Sequence, residues 1–148
     1  MSSPSDDRAP DNRRERVRLH DLNLRIFPDS RCRAVVSVEW TKGRTFEGNA
    51  DGTDTHQGRL QAGALAALRA ITAVSRNRLA LELRGVKAVR AFDAWVVIVL
   101  VYGQSEERRY RLLGSTAAPG GDLVRGSVLA VLDATNRTLE AHLDPEDA

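Results

Sequence analysis

An internal repeat is the feature that most constrains the fold, because the second half of the chain repeats the sequence features of the first half in the same order. Val36 matches Val97, Phe46 matches Leu112 and Ala62 matches Gly126, at offsets of 61, 66 and 64 residues. Loops of unequal length would produce such a drift. The matched segments are 16–19 with 78–81, 36–38 with 97–99, 46–48 with 112–114, and 62–70 with 126–134.

Each repeat is typical of three strands followed by one helix. Alternating apolar residues predict a half-buried first strand, in which His20-Asp21 in one repeat and Gly85 in the other allow either a bend or a bulge. Valine-rich segments predict the second strands, and a Gly-rich segment and an Ala-rich helix close each repeat. The sequence therefore predicts an α+β fold of duplicated βββα units, with a mostly antiparallel six-stranded sheet and both helices on one face. The predicted strand segments are 17–27, 32–40, 44–50, 79–89, 94–102 and 108–115.

The repeats define one domain over residues 16–143, made of a first unit, 16–76, and a second unit, 78–143. Residues 1–15 are rich in Ser, Asp, Arg and Pro, so we expect a disordered N-terminal tail. Residues 144–148 carry three acids and a proline, and we expect an acidic tail that frays.

The second strand of the second unit is apolar at every position, in the segment AWVVIVLVY at 94–102. Both faces of such a strand favour burial, whereas helices on one side cover only one face. Either the sheet curls on itself or a second copy covers the open face, and we favour a homodimer, since an isologous contact needs only one patch. The predicted interface residues are Trp95, Val97, Val99 and Val101.

Two Gly-rich segments, GNADGTDTHQGR at 48–59 and GSTAAPGGD at 114–122, each run into a predicted helix. Free amides and the helix dipole favour anions at such a point. The spacing matches neither a Walker A motif nor a G-x-G-x-x-G fingerprint, and Asp51 and Asp54 would repel a phosphate. A small carboxylate or an amino acid is the ligand class we expect. The candidate ligand-binding residues are Gly48, Asp51, Gly52, Asp54, His56, Gly114, Ser115, Gly120 and Asp122.

The same residues also have structural interpretations, which the sequence leaves open. Asp54 and Asp122 are suited to cap a helix or a turn, and the glycines are suited to turns with positive φ. Asp51, Asp54 and His56 match no dedicated metal-site spacing, and the second unit lacks the set. We therefore predict no metal and no cofactor.

No reactive constellation is evident in the sequence. Cys32 lies between Arg31 and Arg33, which would lower its pKa, yet nothing identifies a general base for it. The glutamates lack the paired environments that acid-base catalysis requires. The sequence predicts that the protein is not an enzyme, that Cys32 is structural, and that the larger aromatic residues pack. Those aromatic residues are Trp40, Phe46, Phe92, Trp95 and Tyr110.

Cysteine content and hydropathy bear on the compartment. Cys32 is the only cysteine, so no intramolecular disulfide is possible. The longest apolar run, 94–102, is about half of the ~20 residues that a membrane-spanning helix needs, and residues 1–16 contain no apolar stretch. We predict a soluble cytoplasmic protein without membrane contact. The formal net charge of +2 becomes +6 over residues 16–143, because residues 1–15 carry −1 and residues 144–148 carry −3, and this moderately basic domain favours anionic partners only weakly.

The duplicated βββα order, the segments GNADG and GSTAAPGGD, and the helices ALAALRAI and VLAVLDATNR support a family resemblance. Over residues 16–143 the chain resembles the C-terminal regulatory (dimerisation) domain of 2-isopropylmalate synthase. The resemblance implies homodimerisation and sensing of an amino acid near the loops between subunits. These residues contain no counterpart of that enzyme's catalytic barrel with its metal-binding histidines, so the expected function is a non-catalytic regulatory module.

A second resemblance is to the double-stranded RNA-binding domain, carried by Phe46-Glu47-Gly48 and by the Ala-rich helix 62–68. That family has a leading helix, which is missing here, and it grips phosphates with lysines where residues 55–59 offer only Arg59. RNA binding is therefore an alternative function, and a purely structural protein-protein interaction module is another.

Overall fold

The computed structural model describes residues 16–41, 43–106 and 108–142, and both predicted tails lie outside these residues. The chain forms two runs of three strands, each followed by a helix. A short 3-10 turn at Pro119–Gly121 precedes the second helix. The elements are β1 (Arg18–Phe27), β2 (Arg31–Trp40), β3 (Arg44–Thr53), α1 (His56–Val74), β4 (Ala80–Ala91), β5 (Ala94–Gln104), β6 (Arg109–Ala117) and α2 (Leu123–His142).

The strands form two three-stranded antiparallel sheets. Sheet A has the order β1-β2-β3 and sheet B has the order β4-β5-β6. The α+β class and the repeated βββα arrangement are thus confirmed. The structure differs from the expectation in one respect, because the six strands make two separate sheets instead of one continuous six-stranded sheet.

Both helices lie between the two sheets. Helix α1 packs on β2 and β3 of its own unit and also contacts β4, whereas α2 packs on β5 and β6 and also contacts β1. Helix α1 contacts both sheets because most of its surface is apolar and buried. Its buried residues include Leu60, Ala62, Ala64, Ala66, Ala67, Leu68 and Ile71. A helix that is apolar on nearly all sides needs cover on two sides, which one sheet cannot provide.

The first strand of each sheet carries a β-bulge, as the sequence predicts. The pairing of β1 with β2 shifts register between Leu19 and Asp21, and the pairing of β4 with β5 shifts between Leu83 and Gly85. The duplication therefore extends to local irregularities of the backbone.

Gly48 and Gly114 occupy equivalent strand positions where a helix backbone lies directly on the sheet. A Cβ on Gly48 would collide with the Ala66 carbonyl and the Ala70 amide, and one on Gly114 would collide with Ala130 and Ala134. Positive φ, which the sequence led us to expect, is found at Gly120 (57°) and Gly121 (79°) but not at Gly48 or Gly114. The glycines inside β3 and β6 therefore serve close packing.

Each helix carries a charged residue that hydrogen-bonds a backbone group on the edge strand of its own sheet, and the two residues are equivalent in the repeat but opposite in charge. In the first unit, Arg69 Nη1 donates a hydrogen bond of 2.8 Å to the carbonyl oxygen of Asn49 on β3. In the second unit, the Ser115 amide on β6 donates one of 3.0 Å to Asp133 Oδ2. Residues 69 and 133 align in the repeat, so one position satisfies a backbone acceptor in one unit and a donor in the other.

A buried asparagine ties the start of β1 to α2. The Val17 amide donates to Asn136 Oδ1 at 2.9 Å, and Asn136 Nδ2 donates to the Val17 carbonyl at 3.2 Å. Val17 and Asn136 are both buried. The Asn136 side chain therefore supplies the two backbone hydrogen bonds of Val17 that a neighbouring strand would otherwise supply.

Candidate functional site

The open face of β5 is not the one that the sequence analysis selected. Val97, Val99 and Val101 are fully buried and face the helices, and Trp95 shares their side of the strand, where it is half-buried with Arg90 5.4 Å from its ring. Since α2 covers this side, three of the predicted interface residues, Val97, Val99 and Val101, belong to the chain's own core, and Trp95 lies outside that core on the same side. The alternate residues of β5, Val96, Ile98 and Leu100, lie on the other side.

The outer face of sheet B, the side turned away from the helices, has an apolar centre. Leu113 on β6 is 68% exposed, and the Tyr102 side chain beside Arg84 is 39% exposed. A Cβ on Gly85 would contact nothing within 4 Å, so the space above this position, beside Leu100, is open. The five cross-strand rows on this face are Ala80, Gln104 and Arg109; Glu82, Tyr102 and Arg111; Gly85, Leu100 and Leu113; Lys87, Ile98 and Ser115; and Val89, Val96 and Ala117.

The outer face of sheet A is polar by contrast. Its centre is Val35, flanked on β1 by Asn23 and on β3 by Asn49. The charged residues around this centre balance in sign, so the face offers neither an apolar patch nor a continuous basic surface. These charged residues are Arg18, Arg25, Arg31, Arg33, Asp21, Glu39, Glu47 and Asp51.

Asp51 lies on the outer face of sheet A, away from the helix ends. Arg33 Nε donates to Asp51 Oδ1 at 2.7 Å, and Arg33 Nη2 donates to Oδ2 at 3.2 Å. This hydrogen bonding holds the pKa of the Asp51 carboxyl below its usual range. Asp51 is therefore engaged in a surface ion pair and does not face the ligand site for which the sequence proposed it.

The N-terminal ends of both helices open on one cavity of about 340 Å³, which we call the helix-end cavity. His56 and Arg59 line it from α1, and Gly121 and Asp122 line it from the start of α2. Its walls also include four apolar side chains. These are Leu24, Leu60, Leu123 and Val124.

The polar groups of the helix-end cavity are already oriented by local contacts. Thr55 caps α1, since its Oγ1 accepts a hydrogen bond of 2.9 Å from the Gly58 amide. Asp122 caps α2 by accepting one of 3.1 Å from the Arg125 amide, as predicted for a capping residue. Asp54 instead accepts a hydrogen bond of 2.6 Å from Arg59 Nε.

Of the nine candidate ligand-binding residues, the structure brings two together in this cavity. His56 and Asp122 line it, and Asp54 reaches it only through its bond to Arg59. Ser115 sits on the outer face of sheet B, and Gly120 lies in the turn before α2 without lining the cavity. The remaining candidates pack in or on strands and do not line it. These are Gly48, Asp51, Gly52 and Gly114.

Cys32 is a buried core residue. Its Sγ donates to the Thr53 carbonyl at 3.4 Å, and burial, with a smaller contribution from Asp54, raises the pKa of the thiol. The flanking arginines were expected to act in the opposite direction, but strand alternation places their side chains on the outer face of sheet A. The thiol is therefore held in its protonated, weakly nucleophilic form.

The described residues contain no cluster of three or more His, Cys, Asp or Glu side chains that would hold a metal ion. Within the same part of the chain, neither helix combines the length and hydrophobicity that crossing a membrane requires. Phe92, which we expected to pack, is fully exposed at the β4–β5 turn.

The apolar outer face of sheet B was not predicted, because β5 is apolar at every position and its pattern does not indicate which side faces outward. The sequence of β6, the neighbouring strand, does indicate which side faces outward. Arg109 and Arg111 alternate with Tyr110 and Leu112 on β6, and charged side chains favour the solvent side. Leu113 follows the parity of these arginines, so its exposure was open to prediction from β6.

Comparisons with known proteins give no relative from which a function could be inferred. No protein-family model matches the chain, and no curated protein matches it either.

Proposed function

We propose that this chain is a non-catalytic, cytoplasmic binding module that forms a homodimer through the outer face of sheet B. One observation carries the proposal: Val96, Ile98 and Leu100 form the apolar centre of a sheet face that no element of the described chain covers. The resemblance to a dimerisation domain supports it, as does the contrast with the polar face of sheet A. Burial of one such patch by its own copy is the simplest closed assembly.

The test of the dimer is Leu113→Arg. In a dimer through this face, two extra cations would be buried among apolar side chains, so we expect the dimer dissociation constant to rise by at least about 100-fold. Sedimentation velocity over a range of concentrations measures it. Asn49→Arg is the matched control, because it adds the same charge to an exposed outer-face position on the edge strand of sheet A. A wild-type chain that sediments as a monomer at micromolar concentration would contradict the proposal.

The second candidate function is binding of an apolar amino acid in the helix-end cavity. Two helix N-termini and His56 complement a carboxylate, Asp122 complements an ammonium group, and the leucine-rich walls suit an aliphatic side chain. Asp54 neutralises Arg59, so the cavity is not strongly cationic, which favours a zwitterion over a simple anion.

A thermal-shift screen with amino acids and small carboxylates tests this second candidate. At a ligand concentration about 100 times the dissociation constant, binding stabilises the fold by ~2.7 kcal/mol and should raise Tm by several degrees. His56→Ala should reduce the shift, while His20→Ala, at the exposed bulge of β1, should leave it unchanged. A flat response across the whole set would rule this candidate out.

RNA binding has the least support among the candidate functions. The charges on sheet A balance in sign, and the outer face of sheet B, which carries Arg84, Lys87, Arg109 and Arg111, exposes one aromatic residue, Tyr102, whereas Phe92 is exposed at a turn. Neither sheet therefore presents an array of aromatic side chains on which bases could stack. It remains an alternative prediction, whose signature would be an affinity that falls steeply with salt.

A further inference from the structure

We propose that the outer face of sheet B binds an acidic amphipathic helix of another protein, with the apolar stripe of that helix on β5 and its carboxylates beside the cations of β4 and β6. This inference rests on the proposed function in one respect, that this face is the binding surface of the module. It names a partner that competes with a second copy for the same surface. The arrangement of apolar and cationic side chains on the three strands carries the inference.

An apolar strip runs along the central strand of this face. Val96, Ile98 and Leu100 occupy every second position of β5, and Leu113, whose side chain is mostly exposed, widens the strip on β6. The three β5 side chains are only half-buried although they lie in the middle of the sheet. A partner seated on the strip would therefore remove apolar surface from water.

Cations flank the apolar strip on both edge strands. Lys87 lies on β4, and Arg109 and Arg111 lie on β6. Among the residues that the structure describes, none of these three has an ion-pair partner. On the outer face of sheet A, by contrast, Arg33 is bound to Asp51. The outer face of sheet B is thus the one with positive charge still to be matched.

The acidic side chain of this face is already engaged. Glu82 is the only acid in the five cross-strand rows, and its Oε2 lies 3.2 Å from Arg84 Nη1. Arg84 also lies over the Tyr102 ring, 4.8 Å from its centroid. Four cations and one carboxylate give the face a net charge of +3. Two copies would bring like charges together, whereas an acidic partner complements them.

The dimensions of the face suit a single helix. Strands about 4.8 Å apart set β4 about 10 Å from β6, which is close to the diameter of a helix with its side chains. From Val96 to Gln104 the central strand extends for about 27 Å, the length of about 18 helical residues. A helix with carboxylates on both sides of its apolar stripe would place them beside Lys87 and Arg111.

Two synthetic helical peptides test the inference. One has leucines at every third or fourth position with glutamates on both sides of the stripe, and the other has lysines in place of the glutamates. Fluorescence anisotropy of the labelled peptides, titrated with the full chain, measures each dissociation constant. We expect the glutamate peptide to bind at least about 10-fold more tightly. Its affinity should fall between about 0.05 M and about 0.5 M salt, because salt screens the attraction.

Charge reversal on the face provides the matched variants. Lys87→Glu with Arg111→Glu makes the net charge of the face negative, so the glutamate peptide should bind at least about 10-fold more weakly and the lysine peptide more tightly. Arg18→Glu with Arg25→Glu is the control, because it makes the same change at exposed positions of sheet A and should leave both dissociation constants within about twofold. Thermal unfolding checks that each variant folds.

Three results would overturn the inference: equal affinity for the two peptides, no binding of either, or binding of anionic phosphatidylserine vesicles without selection of the glutamate peptide. Sedimentation of the chain alone tests the homodimer separately. Salt should strengthen a homodimer through this face, because it screens the repulsion between like charges, while it weakens the peptide complex. A chain that dimerises but does not select the glutamate peptide overturns only this inference, and a monomeric chain that selects it overturns only the proposed dimer.

Discussion

Replacing Gly48 or Gly114 by valine is expected to lower the free energy of unfolding by at least about 3 kcal/mol, because the new side chain has to displace a helix backbone. At Gly48 the obstacles are the Ala66 carbonyl and the Ala70 amide, and at Gly114 they are the equivalent atoms of Ala130 and Ala134. Backbone atoms in the middle of a buried helix cannot move aside as a flexible side chain can. Urea unfolding monitored by circular dichroism measures the change.

Neighbouring positions on the same strands supply the controls for this prediction. Asn49→Ala and Ser115→Ala alter exposed side chains on the outer faces and should stay within about 0.5 kcal/mol of the wild type. Gly48→Ala should already cost a large part of the valine effect, since a single Cβ produces the collision. A Gly48→Ala protein as stable as the wild type would show that the helix does not lie on the strand in this way.

Replacing Asn136 by leucine is the second change with a large expected effect, of about 3 kcal/mol. Leucine preserves the approximate volume but leaves the buried amide and carbonyl of Val17 without partners, and each unsatisfied group costs about 1–3 kcal/mol. Urea unfolding gives the total, and hydrogen exchange of the Val17 amide reports the local loss. Asn23→Leu, at an exposed position of β1, is the control. Unchanged protection at Val17 would contradict the assigned role of Asn136.

Much of the fold was predictable because the repeat and the local patterns agree. The bulges at His20 and Arg84 arise where alternation breaks, and the Ala-rich segments form the two helices. The separation into two sheets was harder to predict, since alanine favours helix formation whether or not it is buried. Only the structure shows that α1, in which Ala66 and Ala67 are buried, also contacts β4 of the other sheet.

The candidate site was less predictable, because it depends on how the helices cross. Gly63 of α1 lies against Ser127 of α2, its counterpart in the repeat, so close that a Cβ on Gly63 would be 2.7 Å from Ser127 Oγ. This crossing brings the two helix N-termini to one cavity and sets the distance between His56 and Asp122. Nothing in the spacing of either Gly-rich segment encodes it. The segments were better suited to predicting strand-helix packing than ligand binding.

The polar outer face of sheet A sets a limit on how many copies can assemble. A module with two exposed sheet faces would stack without end if both were apolar, and the product would be a fibre. The charges around Val35 make the outer face of sheet A polar, so the proposed homodimer would bury the outer face of sheet B and present sheet A at both ends. In the proposed dimer, the two units of the repeat, which share a βββα backbone but differ in surface charge, would have different roles: the second unit would form the contact and the first would prevent further stacking.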